Sequence, residues 1–106
     1  GIKQCRVHEN ITIVENKVNG SAVSGLFMTN TSEALIKDNQ FLNTNNLSPG
    51  AIGEKLGVKP LSAIFIAESD HIVIKNNKIN LGSYGEKSVQ LHSSVDDKTI
   101  SINNTK

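Results

Sequence analysis

One short phrase is spelled four times along this chain, and a chain that repeats itself at a fixed interval has few folds open to it. The phrase is two apolar residues two apart, an asparagine, then one more apolar residue. Ile11-Thr12-Ile13 with Asn16 and Val18 is the first copy, and Ala34-Leu35-Ile36 with Asn39 and Phe41 is the second. Ile72-Val73-Ile74 with Asn77 and Ile79 is the third, and Ile100-Ser101-Ile102 opens a fourth. Asn16 and Asn39 lie 23 residues apart, as do Val18 and Phe41, while Asn39 and Asn77 lie 38 apart, one such period plus 15 inserted residues.

A further segment of the same kind precedes each later copy: Leu26-Phe27-Met28, Ile64-Phe65-Ile66 and Val89-Gln90-Leu91. All alternate with period two and are bounded by Asn, Gly, Ser and Asp, the pattern of short strands, and no apolar stripe of helical period is present. Three short strands per unit, with like strands of successive units stacked in parallel about 4.8 Å apart, make a solenoid. Alternation then predicts which side chains point inward. These are Leu26, Met28, Ile64, Ile66, Val89 and Leu91 from a first sheet; Ile11, Ile13, Ala34, Ile36, Ile72, Ile74, Ile100 and Ile102 from a second; and Val18, Phe41 and Ile79 from a third.

The asparagines fall at the corner between the second and third strands. A sharp bend there requires a residue of positive φ, which Asn tolerates well, and stacked amides can bond from coil to coil. Asn16, Asn39 and Asn77 are expected to form that ladder. In the fourth copy Thr105 stands in line and Asn104 one position early, so the ladder is expected to weaken there.

Composition narrows the function classes. A chain of 106 residues is one domain or part of one, and Gly1 falls inside a repeat already under way, which reads as an excerpt of a longer protein. Scattered charges summing to +1 and only 4% aromatics offer neither a basic face for phosphates nor a platform for bases, so nucleic acid is not an expected partner. No apolar run approaches the roughly 18 residues that cross a bilayer. Cys5 is the only cysteine, so there is no intrachain disulfide. His8, His71 and His92 sit too far apart in coil position for a metal triad, and no cofactor is expected.

The repeated Ile-x-Ile-x-x-Asn-x-Ile spelling resembles the right-handed parallel β-helix of the pectin-lyase-like superfamily, which includes polysaccharide lyases and hydrolases, alginate epimerases and phage tailspikes. The resemblance covers nearly all of the chain except 43–60, and implies an all-β, right-handed parallel β-helix of about four coils. The residues that carry it are buried or bent for structural reasons and do not name a reaction. Polygalacturonases carry Asn-Thr-Asp and Gly-His-Gly segments; here Asn43-Thr44-Asn45 lacks the acid, and Asp96-Asp97 stands without the others. Alginate epimerases carry Asp-Pro-His-Asp, echoed only by Asp70-His71. Pectate lyases pair a basic residue with calcium-binding carboxylates, whereas the sole arginine is Arg6 and no motif supports calcium.

Site candidates follow from stacking the coils. Phe27 and Phe65 share an outward column of the first sheet with Gln90, and His92 lies in the next column; these four are the expected sugar contacts, because an aromatic face packs on the apolar side of a pyranose. The competing and favoured reading buries the two rings under the 43–60 insertion or another subunit. Glu33 and His71 fall at equivalent positions in the turn after the first sheet, beside Glu68 and Asp70. Glu33, Asp70 and His71 are thus the catalytic candidates, since glycoside hydrolysis needs paired carboxylates. Ordinary turn polarity accounts for the same residues. Leu35 and Val73, framed by Lys37 and Lys75, form an outward apolar strip that fits either a trimer seam or a local patch. Ser48-Pro49 to Gly57 reads as a short helical turn within the insertion, which is a surface loop before it is a groove wall.

The expected function is a carbohydrate-directed β-helix segment of an extracellular, cell-surface or virion protein, with polysaccharide as its partner. Homotrimerisation or flanking domains of a parent protein would cover its ends. The alternative is an inert structural solenoid or assembly module.

Overall fold

A computed structural model describes residues 8–21, 23–47 and 61–104. Isoleucine, valine and threonine, stiff at χ1 and suited to a pleated surface, fill ten short strands: β1 (His8–Val14), β2 (Lys17–Asn19), β3 (Leu26–Thr29), β4 (Thr31–Lys37), β5 (Gln40–Thr44), β6 (Ser62–Ala67), β7 (Asp70–Lys75), β8 (Lys78–Leu81), β9 (Lys87–Leu91) and β10 (Ile100–Asn103). They stack into three sheets, β3-β6-β9, β1-β4-β7-β10 and β2-β5-β8, the first, second and third sheets anticipated above. Every pairing is parallel. The chain is a parallel β-solenoid.

Register follows the repeated phrase residue for residue. In the second sheet Ile11, Ala34, Ile72 and Ile100 form one inward column and Ile13, Ile36, Ile74 and Ile102 another. Leu26, Ile64 and Val89, and beside them Met28, Ile66 and Leu91, line the first sheet; Val18, Phe41 and Ile79 line the third. Ile36, Ile64, Ile66, Ile72 and Ile74 are fully buried, whereas Ile102, on the last described coil, is 47% exposed. Leu81 and Val95 also pack on this core, which their positions in the repeat do not announce. Phe41 is the largest residue inside, and Gly25 faces it: a β-carbon there would lie 2.9 Å from Phe41 Cδ1 and 3.2 Å from Thr44 Cγ2.

The asparagine ladder is present and longer than expected. Asn39 Oδ1 accepts from the backbone N–H (2.9 Å) and side-chain amide (3.2 Å) of Asn16, and Asn77 Oδ1 accepts the same pair from Asn39, both at 2.9 Å. Asn39 Nδ2 also donates to Ile13 O and Asn77 Nδ2 to Ile36 O, so two amides that are 1% and 0% exposed have their hydrogen bonds made.

Two expectations need correction. The bend is not made by the ladder asparagines; the left-handed residue is the one before each, Glu15 (φ 57°), Asp38 (φ 55°) and Asn76 (φ 54°). That leaves the ladder residue free to aim its backbone N–H at the next amide. Nor does the ladder weaken at the fourth coil. Asn104 Oδ1 accepts from Asn77 N (3.0 Å) and Nδ2 (2.9 Å), because this corner lacks the extra left-handed residue and Asn104 follows β10 directly.

A second corner, between the first and second sheets, uses hydroxyls. Asn30 (φ 52°) and Glu68 (φ 47°) make the bend, and the buried Thr31 and Ser69 follow them. Thr31 N donates to Ser69 Oγ at 3.1 Å, while each hydroxyl donates to the carbonyl two residues back. At the third corner Asn45 Nδ2 donates to Ser62 O at 3.0 Å, joining the chain on either side of 48–60. The anticipated helical turn and most of the 43–60 insertion, Cys5, Arg6 and Thr105 lie outside the described residues.

Candidate functional site

Two outward surfaces carry the residues singled out from the sequence. The first lies on the second sheet. Asn10 (φ 55°), Glu33 (φ 63°) and His71 (φ 53°) are all left-handed, and they occupy the same position in β1, β4 and β7. Pairing runs on either side of them, through Glu9↔Ser32 and Ile11↔Ala34, then Ser32↔Asp70 and Ala34↔Ile72. Glu33 and His71 are therefore kinks inside strands, where they had been expected in the preceding turn. Such a conformation costs a non-glycine residue about 1–2 kcal/mol, and here it recurs on three adjacent coils.

The kinks dent the sheet. A shallow depression of about 310 Å³ runs across them, lined by Asn10, Glu33 and His71 on one side and by Thr12, Leu35 and Val73 on the other. Asp70 precedes His71 in β7. Its Oδ1 accepts from Ser32 Oγ at 2.6 Å and lies 2.9 Å from His71 Nδ1. A neutral imidazole that gives its Nδ1 proton to a carboxylate keeps a lone pair on Nε2, and the His71 side chain is 67% exposed. Ser32 bonds to the carboxylate and not to the imidazole, so the three do not form a nucleophilic triad. What the arrangement offers is an imidazole oriented by Asp70 on the strand next to that of Glu33.

Further along, Asp96 Oδ1 accepts from Lys98 N at 3.1 Å and caps a 3₁₀ turn at Asp97–Thr99, and the backbone N–H of Glu68 donates to Ser94 Oγ. Among the described residues no three of His, Cys, Asp and Glu cluster to hold a metal ion.

The second surface is the outer face of the first sheet. Phe27, Phe65 and Gln90 stand in one column as expected. The rings of Phe27 and Phe65 are 5.7 Å apart and tilted by 48°, and the His92 ring lies 6.4 Å from Phe65. Their surroundings differ, however. Phe65 is 2% exposed, so its outward ring is buried, while Phe27 is 42% exposed. Gln90 Oε1 accepts from Leu61 N at 3.0 Å where the chain re-enters β6, and His92 Nδ1 is engaged by Ser94 Oγ and Ser94 N. Of the four anticipated sugar contacts, Phe27 alone presents an open ring face.

No family model, curated protein or solved structure matches this chain. The reading of function therefore rests on geometry.

The strip on the second sheet continues the depression. Leu35 pairs with Val73 and Lys37 with Lys75, so the apolar pair sits one outward position from a stacked lysine pair. Val73 is 37% exposed, and Lys37 lies 3.8 Å from Asp38. Thr31 and Ser69, which hold the corner between these surfaces, were not picked out from the sequence. Their signal was the recurrence of a small hydroxyl or amide residue after each bend.

Proposed function

We propose that these coils form a carbohydrate-directed, right-handed β-helix segment of a polysaccharide-degrading or tailspike-like protein that acts outside the cell or on a virion. The observation that carries this reading is the second-sheet depression. One side is hydrogen-bonding (Asn10, Glu33, His71) and the other mostly apolar (Leu35 and Val73, with Thr12), and a pyranose likewise presents hydroxyls at its edge and C–H groups on its faces. The sequence resemblance supports the same class. Asp70 and His71 would orient a sugar hydroxyl or move its proton, and Phe27 would stack on a ring lying over the first sheet.

The test is to titrate the chain with acidic and neutral bacterial polysaccharides by calorimetry and to follow chain length by size-exclusion chromatography. The reading expects binding to at least one class, weakened severalfold by His71→Ala and Val73→Asp in proteins with unchanged circular dichroism. Absence of binding to every polymer would overturn it in favour of the second reading, an inert structural or assembly module. The burial of Phe65 on an outward position favours that second reading.

A further inference from the structure

The left-handed residues Asn10, Glu33 and His71 stand in one row, and the outward residues Thr12, Leu35 and Val73 in a second row beside it. Both rows run along the solenoid axis, and so does the trough between them. Each rung of the trough has the same plan, a hydrogen-bonding group on one side and a methyl-bearing side chain on the other, with successive rungs about 4.8 Å apart. The plan changes at the fourth coil. Thr99 takes the place of His71 there, one residue ahead of β10, and its hydroxyl donates to Asp96 O at 2.7 Å. Three rungs are therefore open among the described residues.

This repeat constrains what can lie in the trough. A polymer laid along the strands meets a different chemistry at each step, Glu33, then Leu35, then Lys37 on β4. Laid along the axis, it meets one plan at every step. Spacing then selects the linkage. Pyranoses joined β-1,4 through equatorial bonds form a straight ribbon that advances by little more than one rung per sugar. Both edges of that ribbon carry hydroxyls, so sugars that turn over alternately still offer one to each rung, while their C–H faces pack on the second row. An α-1,4 chain of glucose curls away from a straight row. Charge selects among the ribbons. The Glu33 carboxylate stands on the middle rung and Asp70 adjoins His71, so a polymer with a carboxylate on every sugar meets like charge. Lys37 lies one outward position beyond Leu35, with Asp38 at 3.8 Å.

We propose, resting on the carbohydrate reading above, that the trough takes an uncharged β-1,4-linked pyranose chain lying along the solenoid axis, one sugar to each of the three rungs.

Calorimetric titration with oligomers of one to five sugars is the test. The β-1,4 series of glucose, mannose and N-acetylglucosamine are compared with α-1,4-linked glucose and with oligogalacturonate. At least one β-1,4 series should bind, its affinity rising about tenfold or more from one sugar to three and little beyond, and the two comparators should bind at least about tenfold more weakly than its trimer. Asn10→Gly keeps the left-handed backbone and removes the amide of an outer rung. In a protein with unchanged circular dichroism it should move the plateau from three sugars to two, whereas Lys37→Ala should leave the length dependence as it is. A comparator that binds as tightly as the β-1,4 trimers, or binds where they do not, overturns this proposal and leaves the carbohydrate reading standing. Affinity that does not depend on length, or a plateau unmoved by Asn10→Gly, overturns the axial placement in the same way. A chain that binds neither these oligomers nor any polysaccharide overturns both.

Discussion

Asn77 Oδ1 accepts two hydrogen bonds from Asn39, from its backbone N–H and its side-chain amide, each at 2.9 Å. Both residues are buried, so the bonds cannot be replaced by water. Asn77→Ala strands two buried donors and the Ile36 carbonyl. The expected loss is about 3–5 kcal/mol in urea unfolding, against about 1 kcal/mol for Asn16→Ala at the exposed rung. Equal losses at the two positions would mean the amides do not act as a ladder.

Gly25 and Phe41 make a prediction of opposite sign to the usual effect of adding a methyl group. Where a site can adopt its conformation, Gly→Ala stabilises by stiffening the unfolded chain. At Gly25 the new β-carbon would meet the Phe41 ring at 2.9 Å in a filled interior. Gly25→Ala should therefore cost about 1–3 kcal/mol, and Gly25→Ala combined with Phe41→Leu should recover part of the loss, measured as the coupling in a double-mutant cycle.

The two stacked phenylalanines should separate in stability. Phe65→Ala removes a buried ring and is expected to cost about 3–5 kcal/mol, whereas Phe27→Ala, at a ring 42% exposed, should cost under about 1 kcal/mol. Thermal and denaturant melts of both variants decide the matter, and Phe27→Ala is then the clean variant for sugar titrations.

Asp70 fixes the tautomer of His71. Nitrogen chemical shifts of the imidazole should report the Nδ1–H form in the neutral state, and Asp70→Ala should return the ring to the ordinary mixture dominated by Nε2–H. Circular dichroism should keep its strand signature, because the His71 side chain is 67% exposed and Asp70 lies outside the packed interior.

Glu15 holds a left-handed conformation that its neighbour two coils on, Asn76, adopts with a residue suited to it. Glu15→Asn should stabilise the chain by about 0.5–1 kcal/mol. The same change at Glu33 should stabilise comparably while weakening any ligand held in the depression, a trade expected where strain is kept at a functional surface.

The columns of inward side chains were legible because alternation in a strand leaves no choice of face: Ile36, Ile72 and Phe41 sit where period two puts them. Corners were legible only in part. The need for stacked amides is written in the side chains, but which of two neighbouring residues bends is a backbone property, and Glu15 and Asp38 carry no mark of it. Asn104 was misplaced by counting from a corner of constant length, and the fourth corner is one residue shorter. Glu33 and His71 were found as a pair but assigned to a turn, since a kink inside a strand interrupts alternation as a turn does. The unequal exposure of Phe27 and Phe65 was not legible at all, because they occupy the same kind of position in the repeat.

The left-handed position shared by Asn10, Glu33 and His71 makes a row of sockets, spaced one rung apart and turned away from the packed interior. An amide, a carboxylate and an imidazole already fill three of them above inward columns of aliphatic residues. The chemistry displayed on such a wall can change one rung at a time while the oil behind it stays the same, which is how one winding backbone can come to present quite different surfaces.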